Sequence, residues 1–415
     1  MPATRLLLYV VALLVGCDAT AAELVINANS VDPAPRAAWQ DLVARFEREN
    51  TDVSVRLNVY DAESYKRAIR NWLTGEPPDV VFWYAGNRMR QFVAPGLLDD
   101  VSDLYTPGVS NQFHKSALDL VSAEGRRYGV PYTFYHVGLY VRRDVLAAAG
   151  VAQPPATWSD LVHACAKLRK AGIEPFAIGT RELWPAAAWF DYIDLRQNGL
   201  AFHMDLMRGR VAYTDARVRK VFDLWRELID ARCFSHHHAA ATWQESQALL
   251  YQGKAAMMLI GNFIVPNFPP DVRPRMELVD FPTLRSDLGR YEEAPLNTLH
   301  IPSGARNKAD ARRFLAFVLR ADVQEALNRA MLQLPANSRA AVADDRFLAK
   351  GRELLASADG LAQYFDRDAN EDLANVAMKG FQEFMLHPER RDAVLAGIER
   401  ARARIHGSLP AAPRG

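Results

Sequence analysis

The chain has 415 residues, 49% of them hydrophobic, which is enough apolar material for more than one buried core. Its 50 basic residues face 49 acidic ones, so the formal net charge is only +1. This balance argues against a broad surface for nucleic acid or for acidic membranes. Composition therefore favours a globular protein of two domains.

The N-terminal residues have the pattern of an export signal. Arg5 supplies a positive charge, and residues 6–16 form an apolar run that is too short to span a bilayer. Two cleavage sites remain open: residues 14–17 (LVGC) are similar to a lipobox that would lipidate Cys17, whereas residues 19–22 suit ordinary signal peptidase. Either site predicts an exported protein, in the periplasm or on the outer face of the cytoplasmic membrane, with a lipid anchor as its only membrane contact.

The first part of the mature chain alternates strand and helix patterns. Residues 24–26 and 53–59 predict strands, and residues 33–49 predict a helix with apolar positions at i, i+3, i+4 and i+7. A second amphipathic helix ends at Gly75, and residues 79–83 predict a buried strand. This β-α-β-α-β order predicts a parallel sheet covered by helices on both faces.

The alternation returns in the rest of the chain. Strands are predicted at 128–131, 138–142, near 176–178, 255–260 and near 299–301. Helices are predicted at 144–150, 157–171, 184–199, 215–231, 242–252, 308–319 and 321–330, with three more to about residue 406. Since no long linker separates two halves, we expect two lobes that are joined by short crossings and are each discontinuous in sequence.

Cysteines and histidines give no clear site. Cys165 lies in an apolar helical run, and the sequence does not show that Cys233 comes close to it, so we expect a buried free thiol. The histidines at 236–238 are adjacent, and adjacent side chains point in different directions, so we expect no metal.

Phosphate-loop, zinc-helix, nucleophile-elbow and dinucleotide motifs are missing from the sequence, so we expect no cofactor and no enzyme. The short arginine pairs lack interleaved aromatics, which argues against nucleic acid.

Several segments, in order and at suitable separations, resemble family 1 extracellular solute-binding proteins, the group that includes maltose- and glucose-binding proteins. Together these segments cover nearly all of residues 23–340. They are NTDVSVRLN at 50–58, GEPPDVVFWYAGNRMRQFVAPGLLDDVSDLY at 75–105, YGVPYTFYHVGLYVRRDVLAAAGV with PPATWSDLVHACAKL at 128–168, YQGKAAMMLIGNF at 251–263, and IPSGARNKADARRFLAFVL with LPAN at 301–337.

The resemblance implies an α/β fold of the periplasmic-binding-protein type II kind, with a ligand cleft at the hinge between two discontinuous lobes. After a signal peptide at 1–22, lobe 1 would comprise 23–131 and 297–335, lobe 2 would comprise 132–296 and 336–406, and 407–415 would be a flexible tail. It also implies a monomeric receptor that binds a carbohydrate or related polyhydroxylated solute and delivers it to the permease subunits of an ABC importer.

A sugar offers an apolar C–H face and a rim of hydroxyls, so its receptor needs aromatic faces and hydrogen-bonding side chains. Ligands of α/β lobes lie outside the carboxyl ends of the strands. From these ends, and from the resemblance for Trp184, the predicted ligand-binding residues are Asn29, Ser30, Trp83, Tyr84, Arg88, Tyr132, Tyr135, His136, Trp184, Asn262, Phe263 and Asn297. Trp83 and Tyr84 point to opposite faces of a strand, so we expect only one of them to meet ligand, and the resemblance implies that this is Tyr84.

Other aromatic and polar residues favour structural roles. Trp39 and Trp72 lie on apolar helical stripes, Trp189 turns toward the core, and His300 faces into a strand. The acids that relatives carry after the first strand and in the returning strand are replaced by Asn29-Ser30 and Asn297, which suggests recognition with fewer charged contacts.

Two further functions remain open at this point. The same fold could present its ligand to a membrane sensor kinase, which changes the partner and leaves the binding chemistry unchanged. An exported carbohydrate hydrolase would need two carboxylates about 5 to 10 Å apart in the cleft, and few acids fall at the predicted strand ends.

Overall fold

The structure is a computed structural model that describes residues 22–30, 32–407 and 409. The predicted export signal with Cys17, and most of the predicted tail, lie outside the described residues. Among the residues described, no helix is both long enough and apolar enough to cross a bilayer.

The strands, in chain order, are β1 (Ala22–Ala28), β2 (Val53–Val59), β3 (Val80–Tyr84), β4 (Ser122–Ala123), β5 (Arg126–Arg127), β6 (Val130–Phe134), β7 (Val137–Arg142), β8 (Glu174–Phe176), β9 (Ala255–Gly261), β10 (Met276–Val279), β11 (Tyr291–Glu293), β12 (Leu296–His300), β13 (Leu334–Pro335) and β14 (Gly360–Ala362).

The helices are α1 (Pro33–Glu49), α2 (Ala62–Thr74), α3 (Asn87–Val93), α4 (Pro107–Ser110), α5 (Lys115–Leu120), α6 (Arg143–Ala148), α7 (Trp158–Lys170), α8 (Trp184–Met207), α9 (Ala216–Asp230), α10 (Trp243–Tyr251), α11 (Lys308–Leu319), α12 (Ala321–Met331), α13 (Arg346–Ala356), α14 (Phe365–Asp368), α15 (Glu371–Leu386) and α16 (Arg391–His406).

Lobe 1 is built on a six-stranded sheet in the order β13-β6-β12-β3-β1-β2. Strand β1 pairs in parallel with β2 and β3, which confirms the parallel arrangement predicted for the first three strands. Strand β12 returns antiparallel between β3 and β6. The apolar stripe of α1 is buried against this sheet, where Trp39 packs on Phe82 and Tyr132, as its spacing predicts.

Lobe 2 is built on a four-stranded sheet in the order β10-β7-β9-β8. Helices α7, α8, α9, α15 and α16 bury a large aromatic core that includes Trp189, Phe222, Trp225 and Phe381. Trp189 is therefore a core residue, as its position on the helix predicts. The chain leaves the six-stranded sheet for lobe 2 after β6, returns to it before β12, and leaves again after β13 for α13, which contacts β10. Strand β6 continues to Phe134, beyond the boundary predicted after residue 131.

Helix α8 consists of two helical segments that meet at Gly199, the residue at which the sequence predicts its end. The backbone at Gly199 is not helical, with φ 81° and ψ 169°, and the second segment continues to Met207. Glycine adopts this positive φ without the steric cost that a side chain brings.

The prediction of a free thiol at Cys165 is wrong, because Cys165 and Cys233 form a disulfide with Cα atoms 5.3 Å apart. Cys165 lies on the buried side of α7, and Cys233 follows α9. The Cys233 carbonyl accepts a hydrogen bond from the Phe176 amide, which holds this segment beside β8 and under α7. Only the packed lobe brings the two residues together.

Breaking this disulfide should destabilise lobe 2. The bond closes a loop with a sequence separation of 68, for which loss of chain entropy in the unfolded state corresponds to about 4 kcal/mol. We expect chemical unfolding of the native protein to shift to lower denaturant concentration when a reductant is present. The Cys165→Ser/Cys233→Ser variant should unfold at the lower midpoint under both conditions. If the denaturant midpoint of the native protein is the same with and without reductant, the disulfide is contradicted.

Candidate ligand-binding cleft

A cleft lies between the two lobes. Its volume is about 980 Å³, which includes the part that is open to solvent. Strand ends and helix starts from both lobes form its walls, which is where α/β lobes place ligands. Its lining consists of Asn29, Ser30, Asp32, Pro35, Ala62, Glu63, Lys66, Tyr84, Tyr132, Tyr135, Trp184, Trp243, Phe263, Asn297, Met331, Gln333, Tyr364, Asp366 and Arg367.

The lobe 2 wall is aromatic. The ring centroid of Trp184 lies 6.1 Å from that of Trp243, 6.1 Å from that of Phe263 and 5.9 Å from that of Tyr364. Trp243 and Phe263 also contact each other at 5.1 Å in an edge-to-face arrangement. These rings support one another, so the wall offers a firm apolar surface before any ligand arrives.

Local backbone geometry aims these rings into the cleft. Leu183, just before Trp184, has φ 65°, a left-handed conformation that costs a residue with a side chain about 1 kcal/mol or more. Such strain is concentrated at functional sites, where surrounding packing holds it in place. At Gly261, a Cβ atom would lie 2.3 Å from the Phe263 ring, so only glycine allows that ring to fold back beside Tyr135.

The lobe 1 wall is formed by tyrosines and amides at strand ends. Asn297 on β12 is paired with Tyr84 at the end of β3, and an irregularity in the pairing with β6 lies between Asn297 and Thr298. Such bulges redirect side chains and are common beside binding sites. Asn29 and Ser30 follow β1 directly, so the predicted strand-end residues of this lobe meet at one edge.

Arg367 on α14 lies between the two walls. Its guanidinium carbon is 4.2 Å from the ring centroid of Tyr84 and 4.9 Å from that of Tyr135, and Nη1 donates to Asn297 Oδ1 at 2.8 Å. Two aromatic rings thus compensate the charge, and the N–H groups of the guanidinium remain available as hydrogen-bond donors. A lobe 2 cation is thus held by two tyrosines and an amide from lobe 1 and the first crossing.

A cluster of three charged side chains joins α2 to α14. Lys66 Nζ lies 2.8 Å from Asp366 Oδ2 and 3.1 Å from Glu63 Oε1. Burial opposes ionisation of Asp366, but the positive charges of Lys66 and Arg367 outweigh it and lower the pKa of this carboxyl. Burial likewise acts to lower the pKa of Lys66, but the charge of Asp366 raises it above its ordinary value. Both groups therefore stay charged at neutral pH.

One carboxylate in the cleft differs from this pair. Asp32 occupies the N-cap position of α1, but its side chain accepts no hydrogen bond from the helix. Burial raises its pKa. The sequence suggested that Asn29-Ser30 replaces the acid that relatives carry after the first strand. Asp32 is nevertheless an acid close to the end of β1, two residues beyond Ser30.

The structure places Asn29, Ser30, Tyr84, Tyr132, Tyr135, Trp184, Phe263 and Asn297 on the lining. Trp83 and Arg88 lie behind it. Trp83 is buried in the lobe 1 core and donates Nε1–H to the Arg88 carbonyl at 3.3 Å, while Arg88 Nη1 donates to the Asp366 carbonyl at 3.0 Å. Of the adjacent pair on β3, Tyr84 is the one that lines the cleft, and its ring stacks on that of Trp83 with the centroids 4.7 Å apart.

His136 and Asn262 also lie behind the lining. His136 is fully buried, its Nε2 is 3.2 Å from the Tyr140 hydroxyl, and burial lowers its pKa to about 3. Asn262 Nδ2 donates to the Leu332 carbonyl at 3.0 Å. Both residues therefore make contacts inside the protein, next to the segments that join the lobes, and do not line the cleft. His300 is buried between Thr298 and the Tyr128 carbonyl, in the structural position expected for it.

Sequence reasoning missed the charged part of the cleft: Asp32, Glu63, Lys66, Asp366 and Arg367, together with Trp243, Gln333 and Tyr364. One signal was available. The run Asp366-Arg367-Asp368 directly follows two aromatic residues, Tyr364 and Phe365, a pattern that is unusual for a solvent-exposed loop.

Residues 31–325 match the family model described as bacterial extracellular solute-binding protein. An uncharacterized ABC transporter extracellular-binding protein of Pyrococcus horikoshii is 24% identical over 299 residues, which are 71% of this chain and 67% of that protein. A second such protein from the same organism is 23% identical over 253 residues, 59% of each, so this chain covers less than two thirds of its length.

Two solved structures have the same fold. The bacterial solute receptor AcbH is 28% identical with a TM-score of 0.87, and the match covers 92% of this chain and 99% of AcbH. The GacH receptor of Streptomyces glaucescens is 18% identical with a TM-score of 0.78, covering 94% and 99%. Since the family model matches most of the chain, the chain belongs to the bacterial extracellular solute-binding protein family and is a solute-binding protein of ABC transporters.

Proposed function

We propose that this protein binds a neutral carbohydrate, or a related polyhydroxylated solute, between its lobes and delivers it to ABC permease subunits. The observation that carries the proposal is the pairing of an aromatic wall in lobe 2 with a wall of amides, tyrosines and charged groups in lobe 1 and on α14. AcbH, with the same fold, is reported to have an exclusive substrate preference for β-D-galactopyranose, and GacH has been solved with acarbose.

The two walls match the two surfaces of a sugar. The C–H face of a pyranose can pack on Trp184, which is half-buried and supported by Trp243 and Phe263. Hydroxyls need donors and acceptors together, and these are supplied by Arg367 as donor, Asp32 as acceptor and Asn297 as either. We therefore assign Asn29, Ser30, Asp32, Tyr84, Tyr132, Tyr135, Trp184, Phe263, Asn297, Asp366 and Arg367 as ligand-binding residues.

Charge in the cleft favours a neutral ligand. Lys66 and Arg367 contribute two positive charges, and Asp32, Glu63 and Asp366 contribute up to three negative ones. Lys66 is already paired with both Glu63 and Asp366, so it offers little to an anion. A sugar phosphate or an acidic sugar would find one available cation opposed by an acid, whereas a neutral polyol can use both.

A hydrolase is disfavoured by the same ion pairs. Glu63 and Asp366 both bond the ammonium group of Lys66, so they are close enough together to be compared with a pair of catalytic carboxylates. Glycoside hydrolysis needs one of the two protonated to serve as the acid, usually through a raised pKa. Here the pKa of Asp366 is lowered, and Lys66 already occupies the space between the two carboxylates. We propose a receptor without catalytic activity, exported to the periplasm or tethered through Cys17 at the outer face of the membrane.

A thermal-shift screen tests the substrate class directly. A ligand that binds only the folded state stabilises it by RT ln(1 + [L]/Kd), about 2.7 kcal/mol at a hundredfold excess over Kd. We expect a clear rise in melting temperature with at least one neutral sugar from a panel of mono- and oligosaccharides. A protein that responds to amino acids or inorganic phosphate and to none of the sugars would overturn the proposal.

Truncating the central ring of the aromatic wall should weaken binding selectively. We expect Trp184→Ala to raise the Kd for the sugar found in the screen by about tenfold or more, because stacking residues at the centre of a site are worth about 2 kcal/mol. Trp72→Ala is the matched control, since Trp72 packs on Tyr60 and Tyr65 away from the cleft. Calorimetry should show an unchanged Kd for the control, and equal losses in both variants would contradict the assignment.

The charged pair predicts how affinity depends on pH. The lowered pKa of Asp366 keeps it ionised at all pH values above its ordinary value of 3.8, and the raised pKa of Lys66 keeps it protonated beyond 10.5. Their contribution is therefore complete at neutral pH, and it is lost when pH falls through the lowered pKa of Asp366 or rises through the raised pKa of Lys66. We expect Kd to vary by less than about twofold between roughly pH 7 and 9. A steep change in calorimetric Kd over this range would show that the pair does not hold the site.

A further inference from the structure

The short helix α14 carries Arg367 into the cleft, and its carbonyl groups are bonded by the opposite lobe. The last carbonyls of any helix lack partners within the helix. Arg88 Nη1 donates to the Asp366 carbonyl at 3.0 Å, and Asn87 Nδ2 donates to the Asp368 carbonyl at 2.8 Å. Both donors lie on α3 of lobe 1, whereas α14 packs on α8 of lobe 2. The end of α14 is thus capped across the cleft.

The side chain of Arg88 is itself held firmly. Only 5% of the residue is exposed, its guanidinium carbon is 5.3 Å from the ring centroid of Trp83, and Nη2 lies 3.6 Å from Glu371 Oε1 at the start of α15. Glu371 also accepts a hydrogen bond from Arg70 on α2 at 3.3 Å. A buried arginine that bonds a carbonyl and a carboxylate of another lobe is costly to separate from them.

We propose that Arg88 is a positioning residue that couples the separation of the lobes to the location of Arg367. The carbonyls on either side of Arg367 are held by α3, and the side chain of Asp366 is held by Lys66 on α2, so contacts with lobe 1 keep the guanidinium against Tyr84. Opening the lobes withdraws Arg367 from Asn297 at the same time as it breaks the Arg88 contacts. The effect of Arg88 on ligand binding rests on the sugar-receptor function proposed above. The contact that Arg88 makes between the lobes does not depend on that function.

The lobe contact can be measured without ligand. We expect small-angle X-ray scattering of the purified Arg88→Ala protein to give a larger radius of gyration than the native protein. Arg127→Ala is the matched control, because Arg127 also combines a hydrogen bond and a cation–π contact, to Ser110 and Tyr105, but both partners belong to its own lobe. Unchanged dimensions of Arg88→Ala, or the same expansion in Arg127→Ala, would overturn the lobe contact whatever the ligand is.

A double-mutant cycle tests the coupling to Arg367. Loss of a buried hydrogen bond from a charged donor should raise the sugar Kd of Arg88→Ala by about tenfold. In an Arg367→Ala background, the same change should alter Kd by less than about twofold, because Arg88 then has nothing to position. Independent, multiplicative losses would contradict the proposal, as would a single variant with native Kd.

Asn87→Ala keeps the test decisive if Arg88→Ala does not fold. This variant removes the second donor to α14 and leaves the buried arginine in place. We expect a smaller loss of affinity that again disappears in the Arg367→Ala background. If the native protein binds no sugar in the screen, the proposed ligand class fails, and the scattering comparison still decides whether the lobe contact exists.

Discussion

The arrangement of the cleft depends on one cation, Arg367, and on what surrounds it. A guanidinium removed from water needs compensation, and here this comes from the faces of Tyr84 and Tyr135 and from the Asn297 carbonyl oxygen. These three partners belong to lobe 1 or to the first crossing, while Arg367 belongs to lobe 2. The favourable position of the charge therefore exists only when the lobes face each other. The site and the lobe arrangement are consequences of the same contacts.

The remaining charges of the cleft are organised around this cation. Asp366 precedes Arg367 in the chain. Its carboxylate accepts a hydrogen bond from Lys66, and its backbone carbonyl accepts one from Arg88. The polar groups that a ligand meets are consequently already oriented, which reduces the cost of ordering them on binding. The aromatic wall opposite is equally prepared, since Trp184 rests on three other rings. A preformed site of this kind gains affinity by rigidity as well as by contact.

Much of the fold could be predicted from the sequence because it rests on local patterns. The helix predicted at residues 33–49 is α1 with the same bounds, since its apolar stripe and its flanking residues are contiguous in the chain. Tyr84 could be proposed because an α/β sheet gathers its carboxyl ends at one edge, whereas Asn297 lies there because β12 runs antiparallel and brings its amino end beside Tyr84. The lipid-anchor prediction at Cys17 stays a prediction.

What could not be predicted depends on contacts between distant segments. Lys66 and Asp366 are 300 residues apart, and neither is unusual in its own stretch of sequence. The pairing of Cys165 with Cys233 has the same origin, because helix packing on β8 decides it.

Arg88 shows why a strand-end position alone does not define a ligand contact. It follows β3 closely enough to reach the cleft, but its guanidinium turns behind the lining, where Trp83 covers it and α14 needs a donor. His136 and Asn262 also turn away from the ligand side, where one bonds the Tyr140 hydroxyl and the other donates to the Leu332 carbonyl. In a receptor of two lobes, the residues next to the cleft divide into those that face the ligand and those that hold the facing residues in place. The second group is fixed by the unsatisfied backbone groups of the opposite lobe, and these become visible only when both lobes are placed together.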